Sequence, residues 1–526
     1  MSWRVFWVPR DATRHHGVRP TLVEGWEDLA QREEAVGVRA GDPIFLSPDY
    51  RVDPLLALFG QSRVFRGYTT ETRRNYATDL VMLLTFLWGR GRVWPEATSR
   101  DLEDFEHWRR FAEENPRRVG GAKWNRELAA FTALFTWAAS QRIVESSPIA
   151  LRRTAGRFGA VSVPAARAAD TRASNVHWLT PRTWRRWTEV GLRGHGRAGV
   201  PQCGWVGRLE DRNVAFVRLL TSSGLRRGEG GSLLTFEVPQ RQAGGGRYCR
   251  GLVAAEVTRS KRPRTFYAEC GAVGEVEAYV ESSRAWAVTR AQEVGRYERL
   301  DEMRLVREVT AGRDPVVHWT DRRGRPGRLA LNRLSARERM LLFTEGPGGP
   351  EPLWLWLNEQ GLPFAVDSWD GVFRTANQRC ARVLAPQGRR KLDPHKAYAP
   401  YATVHSARHS FALYMLVVLN HLMDRRFGLT PQERRDFRLL YGDPWFMVQI
   451  LLGHASRETT IAHYLAPVAD LQLWAMLAAA DAGGTDAPAG SAAMPVAELD
   501  AVFTRIALHA DGVQDIGESS AEGAGA

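Results

Sequence analysis

The chain has 526 residues, 44% hydrophobic and 25% charged, with a formal net charge of +13 and a pI of about 10. This composition is typical of a soluble globular protein with roughly two to four domains, and it favours a polyanionic partner, nucleic acid before an anionic membrane. Neither a run of about 18 apolar residues nor an N-terminal apolar core occurs, so we predict a cytoplasmic protein with no membrane partner.

Cysteine and lysine are both scarce. The four cysteines, at positions 203, 249, 270 and 380, form no C-x-x-C pair, so the sequence predicts neither a zinc finger nor a disulfide scaffold, and it indicates a reducing compartment. Of the 72 basic residues only four are lysine: Lys123, Lys261, Lys391 and Lys396. A GC-rich coding bias explains the excess of arginine, and it makes the placement of each lysine informative.

Residues 1–65 are mixed, with prolines and few periodic runs, and we interpret them as an arm-binding or coupling segment. From Thr69 the chain carries apolar residues at helical spacing. The stretches TTETRRNYATDLVMLLTFLWGRGR, TSRDLEDFEHWRRFAEE and AKWNRELAAFTALFTWAASQRIV each predict one helix, with Thr or Ser caps before the first two. Residues 66–150 are therefore predicted to form a compact helical domain whose arginine-rich faces favour DNA.

The Ala-, Arg- and Gly-rich residues 151–176 are predicted to be a linker. A second domain is predicted over 177–475, beginning with Thr180 as N-cap and Pro181 at the first helical position. The tail, 476–526, contains one amphipathic stretch at 495–510. That stretch is expected either to dock onto a neighbouring subunit or to fold back on its own domain.

Three segments of the second domain hold residues suited to phosphate chemistry. They read LLTSSGLRRGEGGSLL at 219–234, HSARHSFALYML at 405–416 and LLGHASRETTIAHYL at 451–465. On a helix, His405, Arg408 and His409 share one face. Between the first two segments, residues 252–268 read as a hairpin with a basic turn around Lys261.

Metal-free cleavage of a phosphodiester needs fixed donors for the charge that builds on the non-bridging oxygens. Arginine supplies them, because its planar fork forms bidentate hydrogen bonds and keeps its charge. A tyrosine phenolate can attack the phosphorus, and a lysine can protonate the leaving hydroxyl. The sequence offers Arg226, Arg408, Lys261 and Tyr464 for these tasks, beside His405 and His454.

These segments resemble the tyrosine recombinase family, also called the phage integrase family. The family's first box reads roughly T-G-L-R-x-x-E-L, its second H-x-L-R-H-[ST]-F-A and its third L-G-H-x-S-x-x-T-T-x-x-Y. This chain has SSGLRRGEGGSLL, HSARHSFA and LGHASRETTIAHY, in the same order. The resemblance implies a mainly α fold, with a helical SAM-like core-binding domain and an α+β catalytic domain that carries a small β-hairpin sheet.

The resemblance also implies a role for each matching position. Tyr464 matches the nucleophile that becomes a 3′-phosphotyrosine, and Arg226 and Arg408 match the phosphate clamp. His405 matches the histidine that accepts or relays the tyrosine proton, and His454 matches the donor to a non-bridging oxygen. Two supporting residues complete the set: Glu229 beside the first arginine, and His409, which follows the second-box motif.

Lys261 lies in the hairpin where the family places its catalytic lysine, although a register shift would put Arg259 at that point instead. Arginine cannot serve as a general acid near neutral pH, so Lys261 is favoured. The chain departs from the family pattern in three places. Ala407 stands where the second box usually has Leu. Gly230 and Gly231 stand where a helix with Leu is usual, and an added segment near 424–445 is interpreted either as a DNA or subunit contact or as a solvated insertion.

The predicted function is site-specific DNA recombination without metal or cofactor, on double-stranded DNA and in a homotetrameric synapse, with accessory proteins as further candidate partners. The composition fits a mobile element of a high-GC bacterium. Two alternatives stay open: a catalytically inactive DNA-binding relative and a type IB topoisomerase-like enzyme. A zinc hydrolase is disfavoured because Ser406 stands where a metalloprotease needs Glu, and a metal-dependent DDE transposase would leave Arg226, Arg408 and Tyr464 unexplained.

Overall fold

The computed structural model describes residues 2–8, 29–156, 159–171, 177–241, 246–300, 302–312, 314–384, 399–425, 444–453 and 513–514. The chain divides into two compact units, Met1–Arg172 and Ala173–Ala526. The fold is mainly helical with small sheets, as predicted. No helix in the described ranges is long and apolar enough to cross a membrane.

The first unit is built around the predicted helices. Its elements are β1 (Arg4–Trp7), α1 (Leu29–Ala35), β2 (Pro43–Leu46), α2 (Pro54–Gln61), α3 (Arg63–Arg66), α4 (Thr70–Gly89), α5 (Ser99–Arg110), α6 (Gly121–Ser140), β3 (Leu151–Gly156) and β4 (Gly159–Pro164). Thr69 caps α4 by accepting a hydrogen bond from the Thr72 N–H at 3.2 Å. Thr98 and Asp101 form a reciprocal capping box at the start of α5. The caps therefore start these helices at the residues that the sequence indicates.

The described part of 1–65 shares the core of these helices. Strands β1 and β2 pair antiparallel, with Arg4 opposite Leu46. Phe45 and Phe59 are fully buried in the same apolar cluster as Leu83 on α4. This stretch is thus an integral layer of the first unit, and its interpretation as an arm or coupling segment stays a prediction.

Strands β3 and β4, inside the range interpreted as a linker, form a two-stranded antiparallel sheet in which Leu151 pairs with Pro164. The backbone that follows is fastened to α6. Trp124 Nε1 donates to the carbonyl of Ala166 at 2.9 Å, and the Asn125 side chain bonds both main-chain groups of Ala168. The Ala-, Arg- and Gly-rich composition contains no apolar alternation long enough to predict this pairing.

The second unit contains all three segments singled out by sequence. Its elements are β5 (Trp178–Leu179), α7 (Pro181–Gly191), α8 (Glu210–Ser223), α9 (Arg227–Gly231), β6 (Tyr248–Val253), β7 (Arg264–Glu269), α10 (Cys270–Tyr279), α11 (Ala285–Glu293), β8 (Arg304–Val309), β9 (Val316–Asp321), β10 (Pro326–Ala330), α12 (Ala336–Met340), β11 (Leu342–Gly346), β12 (Gly349–Pro352), α13 (Trp369–Leu384), α14 (Val404–Arg425), α15 (Pro444–Leu452) and β13 (Val513–Gln514). Buried aromatic side chains dominate its core: the rings of Phe216 and Trp369 stack with centroids 3.5 Å apart.

A five-stranded sheet in order β10-β9-β8-β11-β12 lies between the first and second boxes. Strands β8 and β11 pair in parallel and the other neighbours pair antiparallel. No pattern in the sequence predicts this sheet. The register between β8 and β9 shifts between Val306 and Glu308, so strict alternation of apolar and polar residues is broken.

The predicted hairpin is present. Strands β6 and β7 pair antiparallel, with Tyr248 opposite Glu269 and Val253 opposite Arg264. Their pairing also brings together Cys249 and Cys270, which form a disulfide at the base of the hairpin that the cysteine spacing does not predict. Antiparallel strands bring residues that are far apart in sequence side by side, which cysteine spacing alone does not reveal.

The last described strand, β13, pairs in parallel with β5 through Val513 opposite Trp178. The predicted amphipathic stretch 495–510 lies outside the described residues, and so does most of the added segment near 424–445. Helix α14 covers the whole of the second box, and α15 leads into the third.

Candidate active site

The first box begins where α8 ends. Gly224 adopts φ 62°, and its N–H donates to the carbonyl of Leu220 at 3.0 Å, closing the helix. A Cβ at this position would lie 2.3 Å from Cδ1 of Phe411 on α14, so the close approach of the two helices requires glycine. The glycine of the SSGLRR stretch therefore turns the chain and seats the second box against the first.

Arg226 and Glu229 form a closed pair at the start of α9. The Arg226 N–H donates to Glu229 Oε2 at 2.9 Å, and Arg226 Nη1 donates to Glu229 Oε1 at 2.9 Å. The spacing of three residues suits this arrangement, because the third helical residue folds back to the cap position. Glu229 is 1% exposed, whereas 24% of the Arg226 side chain stays accessible. Glu229 thus aims the guanidinium and leaves part of it open to solvent.

Arg408, on α14, connects the first box to the end of α15. It is 0% exposed. Its Nη1 donates to the carbonyl of Gly224 and its Nη2 to the carbonyl of Leu452, both at 2.5 Å. The two arginines of the predicted clamp are therefore brought to neighbouring positions, since Gly224 precedes Arg226 by two residues.

His405 lies one turn before Arg408 and retains an exposed edge. Its ring packs edge-on against His409, with centroids 4.3 Å apart. Partial desolvation lowers the pKa of His405 to about 4, and the positive charges of Arg408 and Arg226 contribute in the same direction. The ring is therefore neutral at pH 7 with one acceptor nitrogen, and it becomes a stronger base where a bound anion offsets the two arginine charges.

Arg264, at the start of β7, is a site residue that the sequence analysis misses. Its Nη2 donates to Glu229 Oε2 at 2.5 Å, and its Nη1 donates to the carbonyl of Leu451 at 3.0 Å. The sequence signal for it is weak: an arginine three residues after Lys261, in a chain where arginine is common. Only the pairing of β6 with β7 carries it to Glu229.

Three guanidinium groups surround one carboxylate. Burial alone would raise the pKa of Glu229, but the charges of Arg264, Arg408 and Arg226 outweigh burial and lower it to about 2. Glu229 is therefore ionised throughout the physiological range. One negative charge against three positive charges leaves an excess of two, which suits an anionic ligand such as a phosphodiester.

Lys261 lies in the connection between the hairpin strands, at φ 54°. Its Nζ donates to the Glu256 carboxylate at 2.6 Å and to the Glu256 carbonyl at 2.8 Å, and 58% of its side chain is exposed. This arrangement leaves it on the hairpin surface, hydrogen-bonded to its own loop. Lys123, by contrast, ties Asp79 to Glu127 in the first unit, a structural task.

The remaining predicted residues, His454 and Tyr464, lie outside the described residues. Gly453, immediately before His454, is described and follows the last turn of α15. The structure thus brings together Arg226, Glu229, His405 and Arg408 and places the entrance to the third box beside them. Across the described ranges, no group of three His, Cys, Asp or Glu residues is arranged to hold a metal ion.

No family model and no curated protein matches this chain. Among solved structures, it is similar to XerH site-specific recombinase bound to palindromic difH substrate in a post-cleavage complex, at 12% identity and a TM-score of 0.38, covering 79% of this chain and 81% of that one. The pre-cleavage complex of XerH with difH gives 11% identity and a TM-score of 0.37, covering 85% and 87%. A XerA recombinase gives 14% identity and a TM-score of 0.28, covering 80% and 97%. With TM-scores below 0.5, these matches carry no argument about this chain's activity.

Proposed function

We propose that this chain is a tyrosine recombinase, which cuts and rejoins double-stranded DNA through a 3′-phosphotyrosine intermediate. The observation that carries the proposal is the convergence of Arg226, which is partly exposed, and Arg408, which is buried, from separate segments onto one positively charged position. Arg408 donates to the carbonyl of Gly224, 184 residues before it in the chain. Both guanidinium groups also act on the same carboxylate and on the same histidine.

In the proposed reaction, the Tyr464 oxygen attacks the scissile phosphorus while Arg226 and Arg408 bind its non-bridging oxygens. Because Arg408 is fully buried and donates to the carbonyls of Gly224 and Leu452, it must exchange one of these carbonyls for the phosphate. The bond from phosphorus to the 5′ oxygen breaks, and a phosphotyrosine bond replaces it. His405, neutral at pH 7, accepts the tyrosine proton, and Lys261 supplies the proton for the leaving 5′ hydroxyl. To reach that oxygen, Lys261 must exchange Glu256 for the DNA. His454 donates to a non-bridging oxygen, and His409 supports His405 by packing against it.

Rejoining is the reverse attack by a 5′ hydroxyl, which restores the phosphodiester and frees Tyr464. Because the phosphotyrosine conserves the energy of the bond, no cofactor or nucleotide is required. For recombination, two duplexes must exchange strands, which we propose takes place in a four-subunit synapse. The net charge of +13 supports binding that is mainly electrostatic and falls steeply with salt.

Covalent capture tests the proposal. We expect a pool of nicked random-sequence duplexes to yield a protein–DNA adduct that survives denaturation and forms equally well in EDTA. Tyr464→Phe should abolish the adduct, whereas Tyr267→Phe, a change at an exposed tyrosine of the hairpin, should not. Sequencing the DNA in the wild-type adduct identifies the captured duplex. Tyr464→Phe must still bind this duplex, because a variant that loses both binding and the adduct would be misfolded.

Binding, adduct formation and strand exchange on the captured duplex distinguish the alternatives. A chain that binds this duplex but never forms an adduct would be an inactive relative, and the proposal would be wrong. An adduct-forming chain that relaxes supercoiled plasmid and never exchanges strands between two sites would be topoisomerase-like. Strand exchange between two copies of the captured site is the result expected for a recombinase.

A further inference from the structure

Arg264 lies between two parts of the candidate active site and touches both. Its side chain is 10% exposed. One nitrogen, Nη2, donates to Glu229 Oε2, and the other, Nη1, donates to the carbonyl of Leu451 near the end of α15. A single guanidinium group therefore joins the first box to the helix that leads into the third.

The last turn of α15 is where this contact matters. Terminal carbonyls of a helix have no partner within the helix, and positive charge stabilises that end. Here Leu451 O accepts from Arg264, and Leu452 O accepts from Arg408. Gly453 then turns the chain at φ 65°, and a Cβ on it would lie 2.5 Å from Cδ of Arg264. The arginine stem occupies the space that this glycine leaves.

We propose that Arg264 is a positioning residue for DNA cleavage. Through its bonds to Glu229 and Leu451, it fixes the position of Arg226 relative to the last turn of α15. The proposal rests on the proposed function. Arg264 acts through Glu229, whose two oxygens also accept from the main chain and side chain of Arg226. Removing the Arg264 side chain leaves Glu229 Oε2 and Leu451 O each with one donor fewer. The link that Arg408 makes between Gly224 and Leu452 remains, but Glu229 is then no longer connected to α15 through Arg264.

Arginine suits this task better than lysine. Its planar fork reaches two acceptors that belong to different elements, whereas an ammonium group on a flexible stem is a point charge. A lysine at 264 is therefore expected to preserve charge and to lose the simultaneous contact with Glu229 and Leu451.

The test compares chemistry with binding in the full-length protein. Arg264→Lys and Arg264→Met are assayed on the captured nicked duplex, at saturating protein, for the single-turnover rate of adduct formation. We expect the rate to fall about 100-fold in both, as for a misplacement of reacting groups by about 1 Å. The Kd for the same duplex should stay within about twofold, because the buried side chain makes no phosphate contact.

Arg339→Met is the matched control. Arg339 is 1% exposed, pairs with Glu237 in the same unit at 2.6 and 3.1 Å, and also donates to the carbonyl of Ser232 at the end of α9. Its loss therefore disturbs a comparable buried ion pair, and even the support of α9, without removing a partner of Glu229. At a temperature where circular dichroism shows all variants folded, Arg339→Met should cleave at the wild-type rate. Should Arg264→Met fail to fold, Arg264→Lys alone decides.

Wild-type rates for the Arg264 variants, or a loss no larger than that of Arg339→Met, would overturn the inference and leave the proposed function intact. Absence of any adduct from the wild-type chain would instead refute the proposed function. The two failures are therefore distinguishable in one set of measurements.

Discussion

At the scale of single residues, the charge of the candidate site depends on Glu229 and the three arginines around it. A carboxylate that is 1% exposed would ordinarily be costly, since burial disfavours the charged form. Arg226, Arg264 and Arg408 reverse that preference and lower its pKa to about 2. In exchange, Glu229 orients Arg226 and removes one of three positive charges, so the remaining excess is available to a phosphate.

His405 illustrates the opposite effect of the same charges. Desolvation, Arg408 and Arg226 lower its pKa to about 4, well below the usual 6.5. The unfolded chain therefore binds more protons at this residue between pH 6.5 and 4, and His405 makes the folded state lose stability as pH falls through that window. Above pH 6.5 the ring is neutral in both states and has no such effect.

We predict that His405→Gln reduces this acid sensitivity in the DNA-free protein. The wild-type midpoint of thermal unfolding should fall further than that of His405→Gln when the pH is lowered from 7 to 5. Because the ring keeps an exposed edge, screening limits the difference to about 1 kcal/mol, or roughly 2 °C for a unit of this size. Differential scanning fluorimetry at both pH values measures it, and parallel shifts of the two proteins would contradict the lowered pKa.

The residues that the structure brings together around Glu229 include pairs that the sequence already groups, because each pair belongs to a local motif. Arg226 and Glu229 are one helical turn apart, and His405 and Arg408 share a helix face, so spacing alone groups them. Arg264 could not be predicted in the same way. Its contacts with Glu229 and Leu451 depend on strand pairing and on the packing of α15, neither of which leaves a pattern around residue 264.

At the scale of elements, the end of α15 is held by arginines from two other elements. Arg264 comes from β7 and Arg408 from α14, and each caps one terminal carbonyl. The turn at Gly453 follows directly. Its left-handed backbone conformation costs residues with a side chain roughly 1–2 kcal/mol. The direction of the third box is thus set by tertiary contacts as much as by its own sequence.

We predict that Gly453→Ala lowers the rate of adduct formation more than it lowers stability. The new Cβ would need the space of Arg264 Cδ, 2.5 Å away, in addition to the unfavourable φ. Displacement of Arg264 should reproduce the loss of rate expected for Arg264→Met, about 100-fold, with DNA affinity retained. The measurement is the single-turnover rate on the captured duplex, together with the thermal midpoint.

Gly204→Ala separates backbone strain from this clash. Gly204 also has a left-handed conformation, at φ 77°, and a Cβ there would meet nothing within 4 Å. Both variants should lose a similar amount of stability from φ alone, while only Gly453→Ala loses cleavage. Equal rates for the two variants would show that the contact with Arg264 has no bearing on the reaction.

Prediction of elements from sequence succeeds where one pattern suffices. Apolar periodicity predicts the helices α4, α5 and α6, and capping residues mark the start of the first two. The hairpin is predicted by two short strand-like stretches on either side of a turn. The sheet of β8 to β12 does not, because it combines a bulge with a parallel pair between β8 and β11, whose partners are far apart in the chain. The hairpin of β3 and β4 lies in a composition typical of linkers.

At the scale of the whole molecule, each of the two units has its own hydrophobic core. The first unit buries Phe45 and Phe59 from the N-terminal region with Leu83 from α4. Residues before 66 are therefore required for the helical unit to be complete. Truncation to the predicted domain boundary at 66 would expose this apolar surface.

The described part of the tail is a single short strand. Strand β13 pairs with β5 of the same chain, through Val513 opposite Trp178 and Gln514 opposite Leu179. The amphipathic stretch at 495–510 precedes it, and we propose that this stretch docks onto a neighbouring subunit in the synapse. A helix with one apolar face needs a groove to cover that face, and a sister subunit in the proposed four-subunit synapse is the partner that we expect to supply one.

We predict that deleting residues 490–526 abolishes synapsis while a single subunit still binds the captured duplex with nearly unchanged affinity. Native gel electrophoresis with one and with two duplexes distinguishes the two complexes. Because the deletion also removes β13, the matched control is Val513→Pro with Gln514→Pro, which eliminates the N–H groups of the strand and keeps 495–510. The control should form the synapse. Synapsis by the deletion variant would show that the stretch folds back on its own domain, and loss of synapsis in the control would assign the effect to the strand.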